Sequence, residues 1–251
     1  MTDRRRRYLV TGASSGIGAA TVRAMRATGW DVVATARRAD RLADLARTTG
    51  AEVYPCDLTD DTQVAGLLAH AADTGGLDGV VNNAGGAYGL DPVATGDLAD
   101  WRTMYEINVL AALRVTQGVL SMLRERGGGD VLFVTSAAAL AAYPGGAGYT
   151  GAKHAERMLA ETLRWELAGE PIRVLQVQPG AVATEEFSLV RFHGDADRAA
   201  QVYQGYQPLV APDVAEAIVW MLSRPAHVNI DTITIRPVAQ ANNWVTARAD
   251  G

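Results

Sequence analysis

A short apolar run, a glycine-rich turn and a helical pattern follow one another in YLVTGASSGIGAATVRAM at residues 8–25, with glycines at Gly12, Gly16 and Gly18. Glycine tolerates positive φ and lets backbones approach closely, so a strand can turn sharply here into a helix whose first amides stay free. Those amides and the positive end of the helix dipole suit an anion such as a pyrophosphate. The arrangement commits the start of the chain to a strand–turn–helix unit.

The same alternation continues through DVVATA, EVYPCD, GVVNNAG, VLFVTS, RVLQVQPG and ITIRPV, with helical patterns near 16–28, 39–49, 62–73, 98–126, from Tyr149 onward and near 212–223. Strands alternating with helices form right-handed βαβ units and a parallel sheet. We expect an α/β doubly wound fold of about seven strands with helices on both faces, as one domain over 1–251. Two stretches break the alternation: Ala137–Gly148, rich in alanine and glycine, and Ala181–Leu209, of mixed charge and aromatics. Both follow the carboxyl end of an expected strand, the ligand edge of such a sheet, and the second, at about 181–209, is expected to be a substrate lid.

Of 251 residues, 48% are hydrophobic and the net charge is −5, which provides a large core and no electrostatic footprint for nucleic acid. The one basic run, Arg4 to Arg7, reads as a solvated leader. Cys56 is the sole cysteine, which excludes an intrachain disulfide and a cysteine-rich metal site and fits a reducing compartment. No run approaches the ~18 apolar residues of a membrane span. A soluble, cytoplasmic protein without a bound metal is expected.

The glycine spacing, G-x-x-x-G-x-G, differs from the G-x-G-x-x-G dinucleotide fingerprint, but it stands in the same place after the first strand. Gly12 to Gly16 also match the G-x-S-x-G nucleophile elbow; that fold needs an oxyanion-hole loop from an earlier strand, and too little chain precedes Ser14. The second strand ends at Arg37 and Arg38 with no carboxylate to bind a ribose 2′-hydroxyl. A guanidinium there, Arg37 with Arg38 and Ser14, selects a 2′-phosphate and hence NADP over NAD. Asp57, ending the third strand, serves either the adenine amino group or the cap of the next helix.

Tyr149 and Lys153 stand four residues apart on a helical pattern and so share a face, with Ser136 upstream at the end of the fifth strand. A neighbouring ammonium favours the ionised phenol, which turns tyrosine into an acid–base group, and a serine hydroxyl can donate to an oxygen that gains negative charge. His154 faces away from Lys153 and reads as a surface residue.

TGASSGIG at 11–18, NNAG at 82–85, Asn108, Ser136, YTGAK at 149–153 and PG at 179–180 together resemble the short-chain dehydrogenases/reductases, in order and over essentially the whole chain. The resemblance implies a Rossmann-type sheet in the order 3-2-1-4-5-6-7, a catalytic set of Asn108, Ser136, Tyr149 and Lys153, and a homo-oligomer, tetramer or dimer. It implies cofactor contacts from Gly12, Ser14, Ser15, Gly16, Ile17, Gly18, Arg37, Arg38, Asp57, Leu58, Asn83, Ala84, Gly85, Tyr149, Lys153, Pro179, Gly180, Val182 and Thr184. In that family the lysine also holds the nicotinamide ribose and the asparagine supports a proton-relay water.

The segments EEFSLVRFHGDADRAAQVYQG (185–205) and AIVWMLSRPAHVNIDTITIRPVAQ (217–240) are similar to the NADP-dependent 3-hydroxy acid dehydrogenases, which oxidise serine, allo-threonine and related acids. This branch implies substrate contacts from Ser136, Tyr143, Phe187 and Arg191, the arginine serving either a substrate carboxylate or a salt bridge within the lid. Two other readings remain: a ketoreductase for bulkier carbonyls, given the small-residue loop Ala137–Gly148, and a non-catalytic dinucleotide sensor. The final residues, ANNWVTARADG, are expected at subunit contacts.

Overall fold

The computed structural model describes residues 5–249. Seven parallel strands form the central sheet: β1 (Arg7–Thr11), β2 (Asp31–Ala36), β3 (Glu52–Pro55), β4 (Gly79–Asn82), β5 (Gly129–Val134), β6 (Ile172–Pro179) and, last in the chain, β9 (Thr232–Ile235). Their order is β3-β2-β1-β4-β5-β6-β9, the doubly wound order expected. Two short strands, β7 (Val182–Ala183) and β8 (Leu209–Val210), pair with each other outside it.

Every residue of β1 and β6 is buried, as in a parallel sheet covered on both faces. Alternation sends Val10, Ala34, Leu132 and Leu175 to one side, against α1 (Gly16–Ala27) and α9 (Ala211–Leu222). Leu9, Val33, Val131, Phe133 and Val174 go to the other side, against α3 (Asp61–Asp73), α5 (Ala111–Glu125) and α6 (Ala147–Glu166). The α2 helix (Ala39–Thr49) packs Leu42 and Leu45 at the edge near β2 and β3 and ends at Gly50, whose φ of 67° needs glycine.

Three expectations change. The helix expected over 98–126 is divided into α4 (Leu98–Tyr105), a π-helical turn at Glu106–Leu110 and α5. The stretch Ala181–Leu209 carries its own elements, α7 (Phe187–Arg191) and α8 (Ala196–Gln201), besides β7 and β8. The basic leader is not solvated throughout. Arg7 begins β1 and lies buried, its guanidinium donating to the carbonyls of Ala71 and Gly76 and to Thr74, while Arg6 stacks on Trp30; Arg4 lies outside the described residues. Near the C-terminus, Asn243 also donates to the carbonyls of Ala137 and Ala141, and the Gln240 side chain accepts from the Ala181 amide. Both ties reach loops at the carboxyl edge of the sheet.

Candidate functional site

The turn after β1 is built so closely that side chains are excluded. Gly12 and Gly16 have φ of 64° and 52°, and a Cβ on Gly12 would stand 2.9 Å from the Ala84 Cα. A Cβ on Gly18 would collide with the Gly12 carbonyl oxygen. Thr11 Oγ1 accepts from the amides of Asn83 and Ala84 at 2.9 Å each, and Asn83 Nδ2 donates to the Thr11 carbonyl, so the exit of β4 is sewn to the turn.

Ser15 stands at the N-cap of α1, but its hydroxyl donates to Glu186 rather than capping the helix. Among the described residues the first amides of α1 therefore have no side-chain acceptor, and they open onto a cleft of about 370 Å³. Ser14, Ser15, Gly16, Ile17, Arg37, Arg38, Asp57, Leu58, Asn83, Ala84, Gly85 and Thr184 line this cleft, all of them residues expected at a cofactor.

The two arginines after β2 divide their roles. Arg37 is exposed on the cleft wall. Arg38 turns inward: its Nη2 donates to Ser14 Oγ at 2.8 Å, to Ser15 Oγ at 3.1 Å and to Glu186 Oε2 at 2.7 Å. The hydrogen bonds from Arg38, with Ser15 adding to them, hold the Glu186 carboxyl below the usual carboxylate range. Arg41 pairs with Glu185 at 3.3 Å, so two carboxylates of the 181–209 stretch reach across the cleft to α2 and its approach. Asp57 binds Thr59 through its backbone amide and hydroxyl, and the α3 cap is Asp60. Of its two readings the helix cap is thus removed, while Asp57 still lines the cleft.

Outside the residues that line this cleft, α6 presents Tyr149, Lys153 and Glu156 on one buried face. Lys153 Nζ donates to Glu156 Oε2 at 2.6 Å and to the Val134 carbonyl at 3.2 Å. Burial pushes the Tyr149 phenol above its ordinary value, while Lys153, foremost, and then Ser136 pull it down. Lys153 thus favours the ionised phenol, as expected of the pair, while burial outweighs it. The π turn fixes Asn108, whose Nδ2 donates to the carbonyls of Gly86 and Met104 and whose Oδ1 accepts from the Gly86 amide. A Cβ on Gly85 would meet both Asn108 Oδ1 and, at 3.4 Å, Lys153 Nζ, which places the two together. His154 is exposed and bonded to the Thr150 carbonyl, as expected of a surface residue.

Three residues expected near substrate converge on the phenol. The Phe187 ring meets Tyr149 edge-on at 5.7 Å. The Arg191 guanidinium lies 5.8 Å from the Tyr149 ring centre and 5.5 Å from that of Tyr143, whose hydroxyl accepts from it at 2.9 Å. No carboxylate stands among these contacts; Arg191 is held instead by Tyr143 and the Gly89 carbonyl. Pro179 ends β6 beside β9, Gly180 follows it and Val182 is buried in β7, and none of the three lines the cleft. Thr184 does, with its methyl 3.3 Å from where a Gly16 Cβ would be.

Sequence reasoning missed Glu156 and Glu186. The first sits three residues after Lys153, a spacing readable as a helical ion pair. The second meets Arg38 across 148 positions, beyond any local pattern.

A family model described as short chain dehydrogenase matches residues 6–191. An uncharacterised oxidoreductase of Mycobacterium tuberculosis is 54% identical over 95% of this chain and 94% of its own. An NADP-dependent 3-hydroxy acid dehydrogenase of Escherichia coli O157:H7 is 37% identical over 93% of this chain and 95% of its own. The closed form of serine dehydrogenase complexed with NADP+ superposes with a TM-score of 0.92 at 35% identity, covering 96% of this chain and 99% of that one. Fold, site and relatives agree: the chain belongs to the short-chain dehydrogenases and is an oxidoreductase.

Proposed function

We propose that the chain is an NADP(H)-dependent oxidoreductase that interconverts an alcohol and a carbonyl, with Tyr149 as acid and base, on 3-hydroxy acids or related small substrates. The observation that carries the substrate class is the Arg191 guanidinium, 5.8 Å from the Tyr149 ring and, among the described residues, held by Tyr143 and a backbone carbonyl rather than by an acid. A cation so placed suits a carboxylate separated from the reacting carbon by one further carbon, as in a 3-hydroxy acid. The relatives named for 3-hydroxy acids and serine support the same class.

The cleft fits a dinucleotide because its floor leaves no room for a Cβ at Gly12 or Gly18 and because the first amides of α1 lack a side-chain cap. Those amides would hold the pyrophosphate, Arg38, Ser14 and Arg37 a 2′-phosphate, Lys153 the nicotinamide ribose and Thr184 the carboxamide. The chemistry such a cofactor would supply there is hydride donation or acceptance. Ser136 donates to the substrate oxygen as charge develops on it, and Tyr149 delivers its proton to that oxygen in reduction or removes it in oxidation. Asn108 holds the Gly85–Gly86 backbone against Lys153. The stretch 181–209 acts as a lid over one domain, closing with Phe187 and Arg191 on the substrate side and Glu185 and Glu186 on the arginine side.

The reading includes a cytoplasmic homo-oligomer, tetramer before dimer. Trp165 and Met158 on α6, 78% and 47% exposed, support such a contact, and light scattering would size it. No helix among the described residues is long and apolar enough to cross a membrane.

The deciding experiment is a cofactor-by-substrate screen that follows nicotinamide absorbance with 3-hydroxy acids, esters and neutral ketones. Arg191→Ala is expected to raise KM for carboxylate substrates about 10- to 100-fold, the size of a charge-assisted contact, and to leave neutral ketones within about threefold. Equal losses on both would exclude the carboxylate role, and a faster neutral ketone in the parent would favour the ketoreductase reading. Arg38→Ala is expected to weaken NADPH about 10- to 100-fold while changing NADH little, with a smaller effect from Arg37→Ala. Isothermal titration with both nucleotides checks this, and equal losses would remove the phosphate contact.

A further inference from the structure

Glu156 is a carboxylate where a helix facing a sheet ordinarily places an aliphatic side chain. It is wholly buried on α6, with Oε2 accepting from Lys153 Nζ at 2.6 Å and Oε1 without a hydrogen-bond partner among the described residues. Replacing a buried ion pair by apolar side chains is often neutral or stabilising, so stability alone is a weak account of this carboxylate. Its contact is with the lysine whose charge acts on the phenol.

We infer that Glu156 is a positioning residue that compensates the Lys153 charge, keeps the Tyr149 phenol protonated and so biases the site toward carbonyl reduction. The inference rests on the reading of Tyr149 as acid and base. Lys153 favours the ionised phenol and Glu156 opposes it, because a negative charge near the phenol disfavours a second one. Lys153 is the charged group acting on Glu156 itself. Around the phenol stand Lys153 and Glu156 from α6, Tyr143 and Ser136 from the preceding loop, and Arg191 from α7. The strands beneath α6 turn Phe133 and Val174 toward it, while Asp130 and Arg173 pair with each other. The π turn contributes the neutral Asn108.

Burial pushes the Glu156 carboxyl up to about 7, against the pull of Lys153, so its charge changes within the working range of pH. As pH rises through that value the carboxylate forms and cancels more of the ammonium's charge, so the phenol enters the alkaline range with its resistance to ionisation already raised. The acid needed for reduction is thereby retained to higher pH. Without Glu156 the same ammonium would act on the phenol uncompensated.

The test is a titration of the cofactor-free protein by 13C NMR after labelling tyrosine at Cζ, with the Tyr149 resonance assigned by its absence in Tyr149→Phe. Glu156→Gln is expected to lower the Tyr149 ionisation by about one pH unit, a tenfold change in its acid constant, whereas Glu156→Asp keeps it near the parent. The falling limb of kcat/KM against pH, measured for reduction by NADPH of the best carbonyl from the screen, should move down by the same amount. An unmoved Tyr149 titration, or one displaced to higher pH, would overturn the inference. If Glu156→Gln does not fold, Glu156→Leu removes the charge with an apolar side chain and carries the same expectation. Retained turnover in Tyr149→Phe would instead defeat the underlying reading, and the NMR titration separates the two failures.

Discussion

Tyr149→Phe is expected to lower turnover about 10³-fold or more, in both directions, while leaving the NADPH dissociation constant within about threefold. The phenolic oxygen is the only heavy atom removed, and the ring keeps its edge contact with Phe187, so the pocket should not collapse. What is lost is the proton for an oxygen that hydride transfer leaves negative. In a buried site water substitutes poorly, and a positioned general acid accounts for roughly 10²- to 10⁴-fold. On the proposed reading Ser136 would still donate there, which is why a residual rate is expected. The pH dependence follows from burial, which raises the phenol above its ordinary value. In the parent, reduction should be flat through neutral pH and fall only as the phenol ionises, whereas oxidation should rise over the same interval. Stopped-flow single turnovers at several pH values measure both, and activity within about tenfold of the parent would remove Tyr149 from the chemistry.

The parts of this site that could be read in advance are those set by local pattern. Strand–helix alternation carries the sheet order because crossovers have one hand, and the glycines of the first turn are dictated by contacts within a few residues of themselves. Tyr149 and Lys153 share a face by helical geometry alone. The π turn at Glu106–Leu110 escaped because one extra residue leaves the apolar periodicity nearly unchanged, though it is what directs Asn108 to Gly86. Arg37 and Arg38 could not be told apart, since neighbouring side chains at a strand end face opposite ways and the end itself is uncertain by a residue or two. Glu156 is visible as an i,i+3 partner of Lys153, but its burial comes from the packing of α6 on the sheet. Likewise the four arginines read as solvated until β1 extends to Arg7 and buries it.

The same sheet predicts where stability and activity separate. Asp130, the second residue of β5, accepts from Arg173 Nε at 2.6 Å and from the Tyr8 hydroxyl at 2.7 Å, and all three are buried. Arg173 spends its other donors on the carbonyls of Leu222, Arg224 and Val228. Burial, with the adjoining Asp130 carboxylate, drives the Tyr8 phenol far up, so it stays a neutral donor at any working pH. Asp130→Ala removes the one carboxylate of the cluster and leaves a buried guanidinium uncompensated, which is expected to cost about 3–5 kcal/mol of folding free energy. Adding Arg173→Met removes the stranded charge, so the double variant should be more stable than Asp130→Ala alone, and urea denaturation of the four proteins measures the coupling. Tyr8, Asp130 and Arg173 are second in their strands, at the amino edge of the sheet, whereas Gly12, Ser136 and Tyr149 lie at or beyond the carboxyl edge. Folded Asp130→Ala should therefore turn over at close to the parent rate at low temperature while unfolding at much lower urea. A proportional loss of kcat in the folded protein would mean that the two edges of the sheet are not independent.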